Sequence, residues 1–123
     1  MEYLMVAAGG IMGALLRYII SGFVQKINGT HFPYGTFFVN IVGAFLIGFL
    51  ATIMVERMNI ASHWRTFVTV GLLGSFTTFS SVEYESLRLV EEGMFNLAAF
   101  NLLGSIGIGF IAVWLGTVFA RSI

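Results

Sequence analysis

The stretch GSFTTFSSVEYE, Gly74 to Glu85, holds the densest set of groups in this sequence that could bind an ion. Thr77, Thr78, Ser80 and Ser81 put four hydroxyls into five positions, and Glu83 and Glu85 follow. Hydroxyls and freed backbone N–H groups can replace water around an anion, while freed carbonyls can hold a hard cation. Both require a backbone that leaves the helix. Gly71, Gly74 and the threonine pair weaken a helix through backbone entropy, β-branching and competing hydroxyl hydrogen bonds. The spacing predicts a break near Gly74–Thr77, against the plainer reading of a polar helix end. Beyond it EYESLRLVEE resumes a helix, with Glu85–Arg88 and Arg88–Glu92 at pairing spacing.

Other polar groups stand in apolar surroundings. Thr36, Asn40 and Gly43 are spaced four and three apart and share a helical face. Asn101, Ser105 and Gly109 repeat every four residues and form a second narrow stripe. A side-chain amide costs several kcal/mol in hydrocarbon unless it is hydrogen-bonded, so both asparagines must face protein, water or a ligand. Helix–helix contact and a polar permeation path both satisfy that requirement. Gly9 and Gly13 have the spacing that lets helices approach closely. Arg17 is either a functional charge within the membrane or a side chain that snorkels to the interface. His31 and His63 fall in separate polar connections and read as solvent-facing.

The elements that position these groups are membrane elements. Of 123 residues 58% are hydrophobic and only 10% charged, where a soluble domain carries about 25%. Zero formal net charge offers nothing to a nucleic acid, and the absence of cysteine excludes disulfides and thiolate metal sites. Four segments have spanning length: Tyr3–Val24, Tyr34–Val55, Trp64–Leu89 and Phe95–Ala120. MEYLMV lacks a basic leader region, so the first segment is expected to be retained. Asn28-Gly29 and Pro33 mark the first turn and EEG at 91–93 the last. The Asn28-Gly29-Thr30 glycosylation pattern is a chance match. Arg57, Arg65 and Arg121 fall on one side and Lys26 and Arg88 on the other, a bias of about one charge. So small a bias suits either a fixed orientation or a chain that inserts both ways and pairs with its inverted copy. The expected fold is an all-α membrane protein, residues 1–123 forming one four-helix domain with its third helix broken.

Three ordered motifs give this pattern a family. GALLRY (13–18), GTFFVNIVGAFLIG (35–48) and GSFTTFS (74–80) resemble those of the Fluc (CrcB) fluoride channels, along essentially the whole chain. The resemblance implies an antiparallel, dual-topology homodimer in the bacterial inner membrane, with two pores that export cytoplasmic fluoride passively. It implies no enzyme activity. It places Asn40 on the pore wall and Phe79 in a phenylalanine box. It also implies a structural sodium ion at the dimer centre, held by main-chain carbonyls of Gly74 and Thr77. Asn101 and Ser105 fall where the family keeps polar groups toward the pore. One position departs: the family continues TTFSTF, whereas this chain has TTFSSV, so the second ring is replaced by Val82.

The residues suit that chemistry. Fluoride is strongly hydrated and needs replacement donors, which Thr36, Asn40, Ser80, Ser81, Asn101 and Ser105 supply without a fixed charge. The positive edge of a phenylalanine ring can also face an anion. Glu83 and Glu85 suit a vestibule mouth, with Arg17 as a vestibule or structural charge. The alternatives are a small dual-topology multidrug exporter and a membrane scaffold. The exporter would normally need a carboxylate inside its first span, and none is present there.

Overall fold

The computed structural model describes residues 1–29 and 31–123. The helices are α1 (Glu2–Asn28), α2 (Tyr34–Thr52), α3 (Ser62–Arg65), α4 (Gly74–Phe76), α5 (Phe79–Glu91) and α6 (Phe95–Ser122). Wider π-type turns extend α2 over Ile53–Arg57 and join α3 to α4 over Thr66–Leu73. No strand occurs among the described residues. The fold is all-helical, as the hydropathy and spanning lengths predict. The glycosylation-like pattern ends on Thr30, which lies outside the described residues.

Three helical stretches are long and apolar enough to cross a bilayer: Glu2–Asn28, Tyr34–Arg57 and Phe95–Ser122. Little of any of them is buried within the single chain. A surface this apolar has a stable solvent only in lipid or in another apolar partner, and the chain is a multi-pass membrane protein. The third expected span is two pieces, residues 62–76 and Phe79–Glu91. At 1.5 Å per residue neither piece alone reaches more than about 20–25 Å, short of the roughly 30 Å of hydrocarbon.

The helix ends lie close to where the turn signals put them. Gly29 at φ 129° closes α1, Pro33 caps α2, and Gly93 at φ 80° turns the chain between α5 and α6. Helix α1 outruns its expected end at Val24 by one turn, reaching Asn28. Within that added turn Gln25 Nε2 donates to the carbonyls of Gly29 and Phe32, and its Oε1 accepts from Gly35 N–H. The π-type turns have no sequence signal of their own. Thr69 Oγ1 donates to Arg65 O at 2.8 Å inside one of them, the hydroxyl competition that loosens a helical ladder.

Packing divides the helices into two pairs that share α2. Helix α1 lies against residues 66–76 and against α2, while α2 packs along α6, which also covers α5. The first pair closes on glycine. A Cβ on Gly9 would meet Phe67 O and Leu72 N, and one on Gly13 would overlap Leu72 O. The α2–α6 contact is equally close: a Cβ on Gly48 would overlap Val113 O, and one on Gly116 would overlap Phe45 O. These glycines are packing residues. At one end Arg121 holds Glu56 at 3.0 and 3.2 Å and Thr66 donates to Glu2 at 2.8 Å. The other end gathers Gln25, His31, Arg88 and Glu92.

Candidate functional site

The break falls at Thr77 and Thr78, both in extended backbone, at φ −94°, ψ 156° and φ −151°, ψ 125°. Thr77 falls within the expected stretch, and the correction concerns its start, since Gly74–Phe76 is helical. Gly74 is still helical, at φ −63°, ψ −32°. The reason is local: Thr77 N–H and Thr77 Oγ1 both bond Leu73 O, at 3.1 and 3.0 Å, which ends the helix there and not at the glycine.

Side chains hold the break open by bonding its backbone groups. Asn40 pairs with Thr78 through both amide atoms: its Nδ2 donates to Thr78 O at 2.9 Å, and Thr78 N–H donates to its Oδ1 at 2.7 Å. Thr78 Oγ1 in turn accepts from Ser81 N–H at 3.3 Å and caps α5. The Thr78 and Ser81 amides would close onto Gly74 O and Thr77 O in a continuous helix, and both now bond side chains. The next carbonyl, Ser75 O, accepts from Arg17 Nε at 3.0 Å. Arg17 is therefore a half-buried partner of the break, and it does not simply snorkel. The two carbonyls expected to hold a cation, Gly74 and Thr77, have lost their helical donors. That oxygen-only donor set fits a hard cation.

Beside the break lies a cavity of about 320 Å³. Asn40, Thr77, Thr78, Phe79 and Ser105 contribute to its wall, with Val82, Gly43 and Gly109. No Asp, Glu, Lys or Arg is among the residues that line it. Ser105 Oγ is buried and without a partner, and Phe79 stands 62% exposed on the single chain. Phe76, three residues earlier, is buried on a different face. Val82, in place of a second ring, is 2% exposed and closes the wall with a smaller side chain.

The remaining expected residues are not among those that line this cavity. Ser80 and Ser81 begin α5, their hydroxyls 3.4 and 3.2 Å from Thr78 Oγ1. Thr36 Oγ1 donates to Glu85 Oε2 at 3.0 Å, so Glu85 takes Thr36 where the spacing had suggested Arg88. Arg88 lies 4.0 Å from Glu92. Glu85 borders a second cavity of about 230 Å³, with Gln25, His31, Arg88 and Glu92. Asn101 is fully buried, donating to Ser86 Oγ at 2.8 Å and to Val82 O at 3.4 Å. Its amide joins α6 to α5.

Sequence reasoning missed the roles of two residues that organise the site. Thr78 is the cap and the partner of Asn40, and a threonine ahead of a new helix is a recognisable N-cap signal. Ser86 receives Asn101, and no spacing rule links positions on two different helices.

Residues 4–117 match the family described as CrcB-like protein, Camphor Resistance (CrcB). A protein of Acidobacterium capsulatum named fluoride-specific ion channel FluC is 42% identical over 123 residues, covering 100% of this chain and 98% of that one. Its namesake in Solibacter usitatus is 43% identical over 121 residues, 98% and 99% of the two chains. A third, in Geotalea daltonii, is 44% identical over 114 residues, 93% and 92%. Identity at this level over nearly the full length settles common descent: the chain belongs to the CrcB (FluC) family.

Proposed function

We propose that this chain is a fluoride-selective channel that lets cytoplasmic fluoride leave a bacterial cell down its gradient. The observation that carries the reading is the cavity wall beside the break, where neutral donors and the Phe79 side chain meet without a fixed charge. A small anion needs hydrogen-bond donors in place of water, but a cationic trap would hold it too tightly to leave. Asn40 keeps a second N–H beyond the one given to Thr78 O, and Ser105 Oγ has none of its bonds made. The names carried by the chain's relatives support the choice of ion.

The working unit is an inverted homodimer of four-span protomers, with the broken helix as the third span. The exposed Phe79 ring, the exposed Gly74 and the weak charge bias support this assembly. The carbonyls of Gly74 and Thr77 would hold a sodium ion between the two subunits. Bound there, it would neutralise carbonyl dipoles and lower the electrostatic cost of a nearby anion.

Fluoride efflux from proteoliposomes, measured without a proton gradient, tests the channel. Efflux is expected for fluoride and not for chloride; none for fluoride, or efflux only with a proton gradient, rejects the channel and returns the multidrug exporter. A reporter on the C-terminus should label both membrane faces, and labelling of one face alone rules out inverted pairing.

A further inference from the structure

We propose that Gly43 is the positioning residue of the break, its missing side chain being the seat of the Thr77 methyl group. The proposal rests on the reading above in one respect, that the Thr77 backbone belongs to the ion site.

Gly43 is buried on the α2 face that carries Asn40, one turn further along. A Cβ built on it would overlap Thr77 Cγ2, with Phe76 Cδ2 at 3.2 Å and Cε2 at 3.7 Å. Thr77 cannot turn that methyl aside. Its Oγ1 and its N–H are both committed to Leu73 O, and a β-branched side chain has little other χ1 freedom. The next residue is clamped as well, since Thr78 is held through both backbone groups by Asn40.

Helix α2 therefore offers a seat in two parts: the Asn40 amide grips Thr78, and the gap at Gly43 admits Thr77. With a methyl at position 43 the two parts conflict. Thr77 must move away from α2 while Thr78 is pulled toward it, and the carbonyl between them moves too. The contact differs from the backbone contacts of Gly48 and Gly116. Its overlapping obstacle is one side-chain methyl, which Thr77→Ser removes while keeping the hydroxyl bonded to Leu73 O, and the tighter-than-usual Phe76 ring contact remains in both backgrounds.

The test introduces Gly43→Ala into the wild-type chain and into Thr77→Ser, reading fluoride efflux per folded channel and Tm in detergent. In the wild-type background Gly43→Ala should lower efflux by about tenfold or more, and in the serine background the same change should cost about threefold or less. The drop in Tm should shrink in parallel. Gly48→Ala serves as control, its effect being equal in both backgrounds because its obstacle is Val113 O.

An equal cost of Gly43→Ala in both backgrounds overturns the proposal, as does normal efflux from the alanine variant. A lowered Tm with unchanged efflux per folded channel reduces Gly43 to packing and also overturns it. Should Gly43→Ala not fold, recovery of folded protein by Thr77→Ser supports the seat, and no recovery rejects it. If wild type passes no fluoride, the channel reading fails, while the Tm comparison still decides the steric claim.

Discussion

Helix α2 makes two seams with opposite chemistry. Along Phe45–Phe49 it meets α6 backbone to backbone through Gly48 and Gly116, and the Phe45, Phe49 and Phe119 rings close around the contact. Along Thr36–Gly43 it meets the broken third helix through hydrogen bonds to Glu85 and Thr78. The dry seam is steric and unspecific in ion chemistry, since lipid is as apolar as the rings and only close contact distinguishes them. The polar seam is specific. Each of its groups answers a backbone or side-chain atom that would otherwise be bare at membrane depth. One helix thus holds the fold with one half and arranges the site with the other.

The separation can be broken by substitutions on each side. Asn40→Asp should have the largest effect, on conduction. A carboxylate about 4 Å from the path repels fluoride by about 4 kcal/mol at an effective dielectric of 20, so efflux should fall by a hundredfold or more. Oδ1 still accepts from Thr78 N–H, but the second carboxylate oxygen now faces Thr78 O, so Tm should fall as well and efflux is read per folded channel. An Asn40→Asp protein that does not fold would show that the polar seam carries the fold as well.

Gly116→Val should do the reverse. Its branches have no space beside Phe45 O and Phe49 N, and overpacking against backbone should cost about 3 kcal/mol of stability. Folded yield and Tm should fall sharply, while efflux per folded channel stays near wild type. Efflux that falls further than the folded fraction would extend the site into the dry seam.

The smallest expected effect sharpens the polar side. Thr78→Ala removes the cap of α5 and should cost about 1 kcal/mol, read as a modest drop in Tm. Asn40 bonds only the Thr78 backbone, so that pair should remain, and a Tm loss as large as that of Gly116→Val would contradict it.

Much of this arrangement was legible in the sequence. Hydropathy and length predicted an all-helical membrane chain, because hydrocarbon leaves a backbone few ways to satisfy itself. A helical period put Thr36, Asn40 and Gly43 on one face, and that face does meet the break. The hydroxyl cluster marked where the third helix fails, since threonine hydroxyls compete with the ladder over a few residues. These are properties of neighbours in the chain.

What remained concerns residues far apart in sequence. Local bonds of Thr77 to Leu73 O end the helix, but Asn40, arriving from another helix, is what takes the Thr78 amide and keeps the break open. Glu85 chose Thr36 over Arg88, and Asn101 found Ser86. In each case local spacing offered several partners of similar worth, about 0.2–0.5 kcal/mol for a helical pair. Burial removed water as the competing partner, and a half-buried carboxylate or fully buried amide then gains most from the group packed against it. The sequence by itself determined which groups had to be satisfied within the membrane. Only the tertiary structure decided by whom, because the cost of a bare polar atom depends on which neighbour the packing brings within about 3 Å.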